Sequence, residues 1–218
     1  MSSERQSSDA VTTNAPTVSV VGEAAIRTQP DEAFLSITLT AVRASPGPAL
    51  ADVAKRSDSL ATMLDELGIS VDDRSTTGVT VTEEFDHTDQ GRRSLGHRAT
   101  ATMSVRLADA ELIGKVLMRS SGELNARVAG PSWRVSQKHP AWLEAASQAA
   151  ANARTKAAAY AAGVDARLGP LLKLSESEDG YGVPQSARAA AFGGEMRVDA
   201  GQQEVTASIH ATFQLDLP

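Results

Sequence analysis

LGHRATATMSVRL, residues 95–107, decides the fold class. Ala99, Ala101, Met103, Val105 and Leu107 fall on one side of an extended chain. Arg98, Thr100, Thr102, Ser104 and Arg106 fall on the other. Successive side chains of a strand point to opposite faces, so this period of two predicts a half-buried strand with one wet face. The pattern recurs upstream in Leu35, Ile37, Leu39 and Ala41, separated by Ser36, Thr38 and Thr40. It recurs downstream in Val205, Ala207, Ile209, Phe213 and Leu215. Strands that alternate rather than run continuously apolar belong to antiparallel sheets. Shorter strand candidates are Val18–Val21, Val79–Phe85, Arg127–Ser136 and Leu171–Ser175.

Between the strands lie three helical patterns. Ser45-Pro46 reads as an N-cap followed by proline at the first helical position. Leu50, Val53, Ser57, Leu60, Leu64 and Leu67 then recur at spacings of three and four, and Gly68 stands where a C′ residue belongs. A short helix is predicted from Asp109 to Arg119, with Leu112, Val116 and Leu117 inward. A third runs from Pro140 to Gly163, where 12 of the residues Ala141–Ala162 are alanine. Alanine is the best helix former and makes a slim helix that packs closely. The resulting order, ββαββαβαββ, predicts an α+β fold with a largely antiparallel sheet. Residues 1–16 read as a disordered polar tail and 17–218 as one domain, within which 179–201 forms a long flexible loop.

Composition narrows the function. Net charge is −6 and aromatics make up 4% of the chain, which argues against a phosphate-neutralising, base-stacking nucleic-acid partner. There is no cysteine, so disulfides and thiolate metal sites are excluded. The N-terminus shows no basic-then-apolar signal and no window approaches a membrane span, so a cytoplasmic protein without membrane insertion is expected. No phosphate loop, dinucleotide fingerprint or nucleophile motif is present, so neither a catalytic residue, a metal site nor a cofactor is assigned. His87, His97, His139 and His210 lie on separate segments. Asp31 and Glu32 are adjacent in an extended stretch and point apart, so they read as a turn before a strand. Trp133 alternates with Val135 and reads as core. Two candidate sites remain. Arg92, Arg93, His97 and Arg98 form a basic cluster suited to an anion, and Tyr181, Arg188, Phe192 and Met196 place large side chains on the long loop, suited to a partner.

A set of stretches in fixed order then carries a resemblance: Val18-Ser-Val-Val-Gly22, Gln29-Pro-Asp-Glu-Ala33, Leu67-Gly-Ile69 with Thr76, and Gly96-His-Arg-Ala99. It continues through Ala126 to Val135, Glu144-Ala-Ala, Ala153, Lys156-Ala157, Gly163, Leu168-Gly169, Leu174-Ser-Glu176 and Val205-x-Ala207 before Phe213. In order and spacing this resembles the SIMPL-domain family from about Thr17 to Leu217. The resemblance implies oligomeric assembly and, for some bacterial members, an exported antigen or a link to oxidative-stress defence. It transfers no catalytic residue. The expectation is therefore a non-enzymatic, self-associating homo-oligomer with a stress-defence or scaffolding role. The alternative is a small-ligand or anion-binding module using the long loop and the arginine cluster.

Overall fold

A computed structural model of the protein describes residues 15–88, 91–177 and 200–218. The elements are β1 (Thr17–Thr28), β2 (Glu32–Arg43), α1 (Pro46–Glu66), β3 (Arg74–Thr88), β4 (Gly91–Leu107), α2 (Ala110–Gly122), β5 (Arg127–Arg134), α3 (Ala141–Gly163), β6 (Arg167–Glu176) and β7 (Gln203–Asp216), with a 3-10 turn at Val71–Asp73. The order is ββαββαβαββ and the class α+β, as the periodicities require. The strands, however, sort into two sheets rather than one: β3-β4-β2-β5 and β1-β7-β6. Strands β1 and β2 are consecutive in the chain yet enter different sheets. Alternation tells a strand which of its faces is buried, not which strand it pairs with.

The contacts divide the chain into two compact units. One is built from β2, α1, β3, β4, α2 and β5. The other draws on β1, α3, β6 and β7. Each gathers segments that are distant in sequence, so no break in composition along the chain marks the division.

In the larger unit the antiparallel register places Leu35 opposite Val105, Ile37 opposite Met103, Leu39 opposite Ala101 and Ala41 opposite Ala99. Each row therefore puts apolar side chains of both strands on one face. Helix α1 covers that face with Ala49, Val53, Leu60, Met63 and Leu64, and α2 with Ile113 and Val116, all buried. Each large side chain removed from water in this way contributes about 1.5–3 kcal/mol relative to exposure. Leu50, placed inward by the sequence pattern, is instead exposed, and Ala49 takes the buried position. The other face carries hydroxyls in register: Ser36 opposite Ser104, Thr38 opposite Thr102 and Thr40 opposite Thr100.

The ends of α1 are held by different means. Ser45 has the extended backbone of an N-cap, but its side chain makes no capping bond, and Pro46 removes one orphan donor instead. At the C-terminus Gly68 has φ +74. The Gly68 N–H donates to the Asp65 carbonyl at 2.9 Å and the Ile69 N–H to the Leu64 carbonyl at 3.0 Å. These are the two bonds of a Schellman motif, which needs a left-handed residue at that point. Two arginines complete the unit. Arg74 donates to the Ala61 carbonyl at 2.7 Å and pairs with Asp65. Arg56 donates to the carbonyls of Thr40 and Leu124, each at 2.5 Å, and so ties β2 and the link before β5 to α1.

In the smaller unit α3 presents Ala141, Ala145, Ala149, Ala153, Ala157 and Ala161, all buried. Gly22 on β1 is the point of closest approach. A Cβ there would lie 2.1 Å from the Ala149 carbonyl oxygen and 2.6 Å from the Ala153 Cβ. Strand β7 contributes Val205, Ala207, Ile209, Ala211 and Phe213 to this core. The Leu215 N–H donates to the Pro16 carbonyl at 2.8 Å and Ser19 Oγ meets Thr212 Oγ1 at 2.9 Å, so β1 and β7 run antiparallel.

Candidate functional site

The arginine cluster lies on the β3–β4 ribbon. His97 and Arg98 are consecutive in β4 and project to opposite faces, so they do not converge. Arg98 is paired with Glu84, and that hydrogen bond holds the Glu84 carboxyl below its ordinary range. Arg93 stands opposite Asp86, and His97 opposite Glu83. His97 keeps its Nδ1 buried with no hydrogen-bond partner. The Arg92 side chain lies outside the described residues, as do Tyr181, Arg188, Phe192 and Met196 of the long loop. The acid that pairs with Arg98 comes from β3, and only the register of the ribbon brings the two together.

Sequence reasoning missed one polar cluster. Asp31 accepts from the Ser136 backbone N–H at 2.7 Å and from the Ser136 hydroxyl at 2.6 Å. His139 Nε2 lies 3.4 Å from Thr28 Oγ1. Burial pushes the Asp31 carboxyl upward, but the two bonds from Ser136, with the nearby His139, outweigh it and hold the group below the ordinary carboxylate range. The two bonds from Ser136 to Asp31 clamp the β1–β2 and β5–α3 links together. The members of this clamp are 105 residues apart in sequence, which hides it from any local pattern.

The four sheet edges differ more than any side-chain cluster. An unpaired edge is a template for another strand, and natural sheets blunt it with bulges, proline, lysine or a covering group. At β1, Lys156 Nζ donates to the Val21 carbonyl at 2.9 Å and Asn152 Nδ2 to the Glu23 carbonyl at 2.8 Å. The Pro16 carbonyl accepts from Leu215 of β7, so by alternation these odd-numbered carbonyls of β1 face away from β7. Strand β6 carries Pro170, Lys173 and two register shifts. Strand β5 carries Pro131 and a register shift, and its Trp133 carbonyl is taken by Gln203 Nε2 at 2.7 Å. Strand β3 is different. From Ser75 to Thr82 it has no charge and no proline, and all but Val81 are exposed. Its pairing with β4 shifts register twice, between Thr76 and Gly78 and between Glu84 and Phe85, leaving the stretch from Gly78 to Glu84 regular.

Residues 18–213 match the SIMPL family, described as a protein of unknown function. The chain belongs to the SIMPL family. No curated protein matches it. The SIMPL description assigns no chemistry, so the site rests on geometry alone. Among the described residues of this SIMPL chain, no helix is long and apolar enough to cross a membrane. Among them, too, no group of three or more His, Asp and Glu side chains is placed to hold a metal ion.

Proposed function

We propose that this SIMPL chain is a non-enzymatic, self-associating protein with a scaffolding role, in the stress-linked setting that its resemblance implies. The observation that carries this reading is the contrast among sheet edges: β1, β5 and β6 are each blunted, while β3 offers a neutral, β-branched edge to water. The titratable groups support it. The shifts at Glu84, Arg98, Arg106, Arg119 and Glu123 all arise from surface ion pairs, not from a cleft. Of the arginines that the anion-binding alternative would use, Arg98 already has an acid partner.

The test is solution mass against protein concentration, combined with a thermal-shift screen of small anions. A mass above the 22.8 kDa chain and a flat anion screen are expected. A monomer at every concentration, with a melting temperature raised by an anion, replaces this reading with the ligand-binding one.

A further inference from the structure

The self-association reading leaves the surface and the symmetry open. Among the described residues, β3 is the sheet edge that is both unprotected and self-complementary. Its residues Thr76, Thr77, Val79, Thr80, Val81 and Thr82 are β-branched, the side chains that fit a pleated sheet best. Val79 lies opposite the buried Ala101, hence on the helix-bearing face, yet it is 57% exposed, because no strand of the described residues lies beyond it. Thr80 lies opposite Thr100, on the hydroxyl face, and is exposed.

We infer that β3 pairs antiparallel with β3 of a second copy of this chain, about a twofold axis at Thr80. This rests on the self-association reading above. An isologous contact requires one patch to complement itself. With Thr80 opposite its own copy, Val79 meets Val81 of the second copy, and Val81 meets its Val79. Gly78 then faces Thr82 on the hydroxyl side, and Glu83 faces Thr77, so no like charges are opposed. Shifting the axis to Val81 sets Val79 against Glu83. Shifting it to Thr82 sets Val81 against Glu83 and Thr80 against Glu84. Shifting it to Val79 sets Val81 against Thr77, apolar against hydroxyl. The Thr80 axis alone matches apolar with apolar and hydroxyl with hydroxyl. It joins two four-stranded sheets into one of eight strands, order β5-β2-β4-β3-β3-β4-β2-β5.

The experiment is a charge pair at the axis. Sedimentation equilibrium of the wild type is expected to give twice the 22.8 kDa chain mass. Thr80→Lys and Thr80→Glu each place like charges face to face, so each is expected to give the monomer mass. An equimolar mixture of the two is expected to return to the dimer mass, as a heterodimer. If Thr80→Lys keeps the wild-type mass, the axis is wrong while self-association stands. If both variants are monomers and the mixture stays monomeric, pairing through Thr80 is overturned. If the wild type is itself monomeric throughout, self-association fails and this inference with it. Thr80→Cys is a second route should a charge variant melt early, since the chain has no other cysteine. It is expected to cross-link to a disulfide dimer on oxidation while an exposed helix control, Ser59→Cys, does not. Equal cross-linking of the two overturns the pairing.

Discussion

Helix α1 meets its sheet through Val53, Leu60, Met63 and Leu64, whereas α3 meets its own through six alanines four residues apart. The first helix stands off at the distance its side chains impose, and its stability comes from the volume they fill. The second comes so near that β1 needs Gly22 beneath it. Burial per residue is small there, and what holds the helix is closeness, helped by Asn152 and Lys156 reaching the β1 backbone. One interface is therefore vulnerable to shrinkage and the other to growth. A mixed packing mode in either unit would erase that contrast.

The largest effect is expected at Leu60, which is fully buried. Leu60→Ala should cost about 2–5 kcal/mol, as transfer energy plus a cavity, read from chemical denaturation. A loss below 1 kcal/mol would mean that α1 collapses onto its sheet as α3 does. Next come the additions in the alanine interface. Gly22→Ala and Ala153→Leu should each cost about 1–3 kcal/mol. Gly22→Ala belongs at the upper end, because the added carbon meets backbone that cannot turn aside. Should Ala153→Leu and Ala157→Leu both melt like the wild type, close packing is refuted.

The smallest effect sharpens the comparison at the clamp outside both helix faces. Asp31→Asn keeps the shape but loses charge-assisted bonds to Ser136, which should cost about 1 kcal/mol at neutral pH. Because the folded carboxyl titrates below its unfolded value, its contribution is complete above the ordinary carboxylate pKa of about 3.9. It fades as pH falls through the lower folded value. Melting curves of wild type and Asp31→Asn should therefore stand apart at pH 6 and converge as the pH drops below about 4. A gap independent of pH would assign the loss to geometry rather than charge.

Much of this was readable one segment at a time. The period of two placed the faces of β2, β4 and β7, and the Pro46 and Gly68 signals bounded α1. The alanine content marked α3, since propensity and amphipathic spacing are properties of neighbours along the chain. Trp133 does pack against the core, as its alternation with Val135 implied. The inward residues of α2 were less well read, because Ile113 is buried and Leu112 only partly so. A one-residue error in a short helix rotates the stripe by about 100° without breaking the pattern.

By itself, then, the sequence determined the element order, the buried faces of β2, β4 and β7, the ends of α1 and α3 and the membership of a family, while α2 runs to Gly122, one turn past the Arg119 read from the sequence. Tertiary structure alone decided that β1 leaves β2 for a sheet with β7, nearly two hundred residues away. It alone brought Asp31 to Ser136 and set Glu84 against Arg98. Among the described residues, it alone left β3 as the edge without a guard. Local energetics depend on residues a few positions apart, and a sequence displays those directly. Partner choice depends on which distant surfaces exclude water together, and nothing short of the assembled chain expresses that.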